Sequence, residues 1–170
     1  YGCRNPGARH HCKSIARPAG CLMQWSAVRR ATLLIPSGPA HDPDRKHLHI
    51  VLNDPFPDSS MVTKVLVVSV TSIPASNKYD TSCTLFPGEH PFVIHGSYVA
   101  YNRLDLVDPD LLESKVAAKV FVAKPLLDEK FFAYVVQGLM ESPYVSPRYL
   151  RYFEAALAYM QAQQSPSATP

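Results

Sequence analysis

The residues best suited to chemistry lie in the segment GEHPFVIHGSYVAY, residues 88–101. Its reactive and polar side chains include those of His90, His95, Ser97, Tyr98 and Tyr101. The ordinary histidine pKa of about 6.5 lies close to neutral pH, so an imidazole can both accept and return a proton. This segment is therefore the first candidate for an acid–base site.

A second group of basic side chains lies in the segment RKHLHIV. Arg45 and Lys46 supply positive charge. The alternation of side chains along a strand places His47 and His49 on one face and Leu48 and Ile50 on the other. If the segment that carries His95 lies beside this strand, the two together form a basic, titratable pocket.

A metal site competes with acid–base chemistry for the same residues. The ligands available to it are Cys83, Glu89, His90 and His95, with His47 or His49 as a further one. Thiolate, carboxylate and imidazole groups all bind zinc, but the spacing C-x6-H-x4-H is not a recognised zinc knuckle. A single cysteine is more often a small buried hydrophobe. We predict no metal and no cofactor.

The amino-terminal segment, residues 1–22, differs from the rest of the chain. It contains four basic residues, no acidic residue and three of the four cysteines, namely Arg4, Arg9, Lys13, Arg17, Cys3, Cys12 and Cys21. It has no apolar stretch typical of a secretory signal, and its cysteines lack the short spacing of structural zinc sites. We interpret it as a disordered leader or a remnant of upstream sequence, before one domain over residues 23–164 and a disordered tail over 165–170.

The composition excludes several functional classes. No apolar run approaches the roughly 18 residues that a membrane span requires, so no membrane association is predicted. Without the four leader cations, the 17 Lys and Arg residues fall to 13 against 14 Asp and Glu, and the predicted domain is nearly neutral. The chain also lacks a Gly-rich phosphate loop, a nucleophile elbow and an H-E-x-x-H motif, which excludes the NTPases, hydrolases and zincins that use them.

Hydrophobic periodicity predicts a strand-rich first half and a helical second half. Strands are predicted over 31–36, 47–54, 64–73, 81–86, 92–95 and 97–107. Helices are predicted over 108–119, 125–142 and 146–163. Short strands at close spacing favour a mostly β, α+β fold: a small barrel or strongly bent sheet with C-terminal helices.

The order of these elements over about residues 30–115 resembles the MazF/PemK toxin family of the Kid/CcdB superfamily. The similarity consists of a strand, a polar loop ending in Arg45-Lys46 and an apolar strand, then an apolar run ending in Thr71-Ser72, then VAYNRLDLVD. The family fold is a small SH3-like barrel with helices. The chain departs from the family pattern at His47, where the family has proline, at Asn102, where it has an acid, and at Asp105, where it has arginine.

The resemblance implies a cytoplasmic, homodimeric endoribonuclease of a toxin–antitoxin system that cleaves single-stranded RNA without a metal. Such cleavage needs a base, an acid and a cation to stabilise the charged phosphorane. The candidate catalytic residues are Arg45, His47, His90, His95, Thr71 and Ser72. The candidate substrate-binding residues are Lys46, Ser97, Tyr98 and Tyr101, with the tyrosine rings as stacking surfaces for bases.

Two alternative interpretations fit the same sequence features. Each candidate residue also has a structural interpretation, as a solvated turn, a strand former or a packed ring. The chain is also interpretable as a non-catalytic barrel of the same fold that binds a protein partner. Its last predicted helix would make that contact, because it carries Tyr149, Tyr152, Phe153 and Tyr159.

Overall fold

The structure is a computed structural model that describes residues 25–38, 40–76 and 78–164. Over these residues the chain forms a mixed α+β fold. The strands are β1 Thr32–Pro36, β2 Lys46–Val51, β3 Phe56–Pro57, β4 Thr63–Ser72, β5 Thr84–Leu85, β6 Ser97–Val107 and β7 Val122–Lys124. The helices are α1 Pro109–Ala117, α2 Glu129–Glu141 and α3 Pro147–Gln164.

The strands form one antiparallel sheet in the order β5-β6-β4-β2-β1-β7, and β3 pairs beside β4. The sheet curls into a half-barrel, which confirms the predicted small, strongly bent barrel with C-terminal helices. β4 lies in the middle because its run from Val65 to Val70 is buried on both faces, as expected for an uninterrupted apolar strand. None of the described helices is long and apolar enough to cross a membrane.

Both faces of the sheet are covered by apolar side chains. The inner face contributes Leu48, Ile50, Leu66 and Val68, which pack with Phe132, Val135 and Leu139 of α2 and with Phe153 of α3. The outer face contributes Leu33, Val51, Val65 and Val67, which pack with Leu112 of α1. The alternation predicted for the HLHIV segment is therefore confirmed, because Leu48 and Ile50 both face the inner core.

Two of the helices begin at an aspartate that caps their first turn. The Asp108 side chain accepts a hydrogen bond from the Asp110 amide, and Pro109 occupies the first turn of α1. Asp128 caps α2 in the same way. α2 begins four residues later than predicted, because Asp128 is its N-cap and the Leu127 amide donates to the Arg30 carbonyl at 2.9 Å. Before this segment, Val122–Lys124 forms β7 and pairs with β1. The sequence pattern did not predict this strand, or β3.

Residues 92–95 do not form the predicted strand. They belong to a loop between β5 and β6, because Pro91 has no amide proton for a sheet and the Phe92 amide donates to the His90 side chain instead. Val93 inserts into the inner core, and the Phe92 ring lies 5.9 Å from the Lys124 ammonium. The loop thus bridges β5 and β7, the two edges of the half-barrel.

Candidate functional site

A cleft of about 350 Å³ lies where the start of β2, the end of β4, the start of β6 and the loop before β6 meet. Its apolar lining comes from Leu48, Val70, Pro91, Phe92, Val93 and Ile94. Its polar lining comes from Arg45, Lys46, His47, Thr71, Ser72, His95 and Ser97. No Asp or Glu is among these described lining residues, so the two fixed cations make the cleft attractive to anions.

Ser72 and His95 form the closest polar pair in the cleft. The Ser72 hydroxyl oxygen lies 2.6 Å from His95 Nε2, and the imidazole is exposed to solvent. The Ser97 hydroxyl donates to the His95 carbonyl at 3.0 Å, which holds the backbone next to the imidazole. A hydroxyl and an imidazole at this distance can exchange a proton, which is the first requirement of acid–base chemistry.

His47 lies on the same cleft with one nitrogen engaged. The Ser37 hydroxyl donates to the Ile35 carbonyl at 3.2 Å and lies 2.9 Å from His47 Nδ1. The tautomer that satisfies both contacts has Nδ1–H donating to Ser37, which leaves a lone pair on Nε2. Burial, followed by the charges of Arg45 and Arg103, lowers the pKa of His47. A neutral imidazole with a free lone pair is suited to accept a proton.

The two cations of the cleft are positioned by the β1–β2 loop. The Ser37 amide donates to the Arg45 carbonyl at 3.0 Å, and the Arg45 amide donates to the Asp42 carbonyl at 3.2 Å. A Cβ atom at Gly38 would overlap the Asp42 carbonyl oxygen and lie 2.6 Å from Arg45 Cβ. Only glycine permits this close approach, and the loop therefore presents the exposed Arg45 and Lys46 at the rim of the cleft.

His49 lies next to the cleft but does not line it. Its Nδ1–H donates to the His47 carbonyl at 3.0 Å, and its cross-strand neighbour is Ser69 on the same face of the sheet. Burial lowers the pKa of His49 to about 4, which the hydrogen bond to the backbone only partly offsets. His49 is therefore neutral near pH 7 and has a structural role.

The depressed pKa of His49 predicts a loss of stability in mild acid. In the unfolded chain the imidazole titrates near its ordinary pKa of 6.5, so between pH 6.5 and about 4 the unfolded state binds the proton and the folded state does not. The free energy of unfolding should fall over this window by about 3 kcal/mol from His49 alone. Urea unfolding at a series of pH values should show a shallower slope for His49→Gln than for His41→Gln, a change in an exposed loop. Parallel slopes would contradict the assignment.

The structure does not bring His90 to the cleft. The imidazole is 4% exposed, its Nδ1 accepts from the Phe92 amide at 3.1 Å, and its Nε2 lies 3.4 Å from the Thr32 hydroxyl. A hydrogen bond to the Pro125 backbone also holds it, and burial lowers its pKa. His90 therefore anchors the β5–β6 loop to β1 and the segment before α2, which differs from its predicted catalytic role.

The two tyrosines predicted to stack on bases lie in different surroundings. Tyr101 is 1% exposed and its hydroxyl donates to the Val135 carbonyl at 2.6 Å, so its ring belongs to the core and cannot stack on a ligand. Tyr98 lies on the outer face of β6, opposite Thr71. Its half-buried ring contacts Tyr79 in a separate groove beside the cleft. The structure therefore excludes Tyr101 as a stacking surface, and for Tyr98 stacking stays a prediction.

The candidate zinc ligands are not assembled. Cys83 is buried, and burial raises the pKa of its thiol to about 11. The Glu89 carboxylate accepts from the Phe86 amide at 2.7 Å. Within the described part of the chain, no group of three or more His, Cys, Asp or Glu side chains is arranged to hold a metal ion. The leader cysteines Cys3, Cys12 and Cys21 lie outside the described residues.

The cleft thus combines seven of the ten predicted site residues, and the sequence analysis missed two that act on His47. Ser37 orients the imidazole, and a serine directly after a predicted strand was the available signal. Arg103 lowers its pKa, although it lies on another strand far along the chain. Comparison of the chain with protein-family models, with curated proteins and with solved structures finds no match.

Proposed function

We propose that this chain is a metal-independent endoribonuclease that cleaves single-stranded RNA in the cleft. The observation that carries the proposal is the 2.6 Å contact between Ser72 and His95 in a cleft that Arg45, Lys46 and His47 also line. Phosphodiester cleavage requires a proton acceptor, a proton donor and positive charge near the phosphate. All three are present within one small volume.

The role of the base goes to His47 because its pKa is lowered and its Nε2 lone pair is free. His47, neutral and with a free Nε2 lone pair, takes the proton from the ribose 2′-hydroxyl. The 2′-oxygen attacks the phosphorus, and the bond from phosphorus to the 5′-oxygen breaks. His95 delivers a proton to that leaving oxygen. The products are a 2′,3′-cyclic phosphate and a 5′-hydroxyl, so the reaction needs neither water nor a metal ion in this step.

The remaining cleft residues bind the phosphate. Arg45 lies at the rim, where its guanidinium can stabilise the charge that develops on the phosphorane. The hydroxyl groups of Thr71 and Ser72 are hydrogen-bond donors for the non-bridging oxygens, with Lys46 and Ser97 as further contacts. The apolar floor around Leu48 and Val93 excludes water beneath them, which strengthens the electrostatic interactions.

The resemblance to the MazF/PemK family supports the same function. In the elements that resemble the family, Arg45-Lys46 and Thr71-Ser72 lie at the ends of neighbouring strands. Both pairs line the cleft. Toxin activity, a homodimer, an antitoxin partner and a cytoplasmic location belong to the proposal as expectations from that resemblance. The alternative, a protein-binding α3, has fewer aromatic side chains to use than predicted, because Tyr152 and Phe153 are buried, while Tyr159 is 52% exposed beside Phe56.

Removal of the two rim cations should weaken RNA binding and cleavage together. The full-length double variant Arg45→Gln/Lys46→Gln is expected to bind a 2′-O-methylated, uncleavable RNA about tenfold more weakly, with a salt slope reduced by about 1.4. Cleavage of ordinary single-stranded RNA should fall at least as much. Lys115→Gln/Lys119→Gln, in α1 and in the turn that follows it, removes the same charge away from the cleft and serves as control. Equal effects of the two double variants would contradict the proposal.

A further inference from the structure

A second groove, lined by Lys78, Tyr79, Asp80, Tyr98, Asn102 and Tyr144, lies next to the cleft. Its volume is about 500 Å³, within the range of sites that hold small aromatic ligands. Three of its side chains are tyrosines, and this tyrosine groove takes no part in the cleavage chemistry described above. Its aromatic rings and its lysine are nevertheless groups that can bind the bases and phosphates on either side of a cut phosphate.

The tyrosine groove lies beside the cleft at one pair of strand residues. Tyr98 on β6 is the cross-strand partner of Thr71 on β4, and Thr71 lines the cleft. Neighbouring residues on adjacent strands lie about 5 Å apart. One nucleotide spans a similar distance along a strand, so a chain whose phosphate occupies the cleft has its adjacent base close to the Tyr98 ring.

The aromatic rings of the tyrosine groove are accessible and arranged at an angle. Tyr79 and Tyr98 have ring centroids 5.1 Å apart and planes inclined by 42°, so neither ring fully covers the other. Both rings are half-buried, and Tyr144 is 59% exposed. Exposed tyrosines beside a cationic cleft are typical of surfaces that stack successive bases of a single strand.

A buried polar contact holds these rings in place. The Ser142 hydroxyl donates to the Asp80 carboxylate, whose other oxygen accepts from the Ser82 amide at 2.9 Å. The Ser142 hydroxyl oxygen in turn accepts from the Tyr144 amide at 3.2 Å. Asp80 and Ser142 are both buried, so the loop with Tyr79 is fixed against the turn with Tyr144. A site fixed before binding loses less conformational entropy when it binds.

We propose that the tyrosine groove is a base-binding subsite that stacks nucleobases of single-stranded RNA flanking the phosphate held in the cleft. Tyr79, Tyr98 and Tyr144 supply the stacking surfaces. Lys78 is an exposed cation for a neighbouring phosphate, and Asn102 offers an amide donor and acceptor for a base edge. This subsite rests on the proposed function, which supplies the phosphate that fixes the strand.

The test measures binding of a 2′-O-methylated single-stranded oligonucleotide to the full chain by fluorescence anisotropy, so that cleavage plays no part. Tyr144→Ala and Tyr79→Ala are each expected to weaken affinity about tenfold. Tyr144→Phe should bind as the unchanged protein does, because the ring face is retained. Tyr134→Ala, which removes an exposed ring on α2 outside the groove, is the matched control and should have no effect.

An oligonucleotide with abasic sites separates stacking from charge. It should bind the unchanged protein and Tyr144→Ala with equal affinity, because the ring has no base to contact. If the tyrosine variants lose as much affinity for the abasic strand as for the normal strand, the subsite is overturned. Normal binding by both tyrosine variants, with weakened binding by Arg45→Gln/Lys46→Gln, would overturn the subsite and leave the cleft intact. No RNA binding by the unchanged protein would overturn both.

Discussion

Gly138→Ala is expected to destabilise the protein by about 3 kcal/mol. Gly138 lies in α2 at the point where the helix crosses β6 and the segment before β5. A Cβ atom there would overlap the Tyr101 hydroxyl and lie 2.8 Å from Cys83 Cβ and 2.9 Å from the Ser82 carbonyl oxygen. Two of these neighbours cannot rotate away, since one is a backbone atom and the other a Cβ atom. Helix and sheet must therefore separate.

The Tyr101 hydroxyl cannot relieve this clash without a further loss. It donates to the Val135 carbonyl at 2.6 Å and is buried, so its displacement leaves a buried polar group without its partner. The intrinsic preference of helices for alanine over glycine, about 1 kcal/mol, opposes the effect and does not cancel it. The same contact explains why Tyr101 is a core residue.

Urea unfolding of the Gly138→Ala and Gly96→Ala variants measures this effect. Gly96 is the control because an added Cβ would meet only the end of the Ile73 side chain, at 3.3 Å, and that atom can move. We expect a change of less than about 1 kcal/mol for Gly96→Ala. If the two variants unfold at the same urea concentration, the close approach of α2 to the sheet is wrong.

The second large effect is expected on catalysis. His47→Gln and His95→Gln should each lower the rate of RNA cleavage by about 10² to 10⁴, the usual contribution of a positioned acid or base. Glutamine keeps a polar side chain of similar length but cannot exchange a proton. The double variant should be little slower than the slower single variant, because two groups that act in one step are not independent.

The measurement is the initial rate of RNA cleavage by the full chain, with His41→Gln as the control in an exposed loop. Unfolding curves of each variant separate loss of chemistry from loss of structure. Because burial lowers the pKa of His47, the rate should fall on acidification at a lower pH than the titration of an ordinary histidine would give. Rates in His47→Gln and His95→Gln equal to the control would remove both residues from the mechanism.

The fold was largely predictable because its main signals are local. The apolar run of β4 and the alternation in β2 are each visible within a few residues. β7 was not predictable in this way, since a strand of three residues exists only because β1 lies beside it. The loop at residues 92–95 was mistaken for a strand because Val93 enters the core and Phe92 packs against it without forming a sheet.

The site residues that lie at strand ends were predictable from the sequence. The residues whose position depends on burial were not. Arg45, His47 and Ser72 occupy the ends of neighbouring strands, which the sequence order indicated. The burial of His90 depends on Thr32 and Pro125, and no local pattern contains those contacts. His95 reached the cleft although its segment is a loop, because Val93 anchors that loop in the core.

Metal-free cleavage of RNA in the cleft is tested by the chemical nature of the product ends. The full chain should be incubated with a long single-stranded RNA in EDTA, and the fragments examined for their termini. We expect fragments with 2′,3′-cyclic phosphate and 5′-hydroxyl ends, and none from His95→Gln. Intact RNA, cleavage that EDTA abolishes, or fragments with 5′-phosphate ends would contradict it.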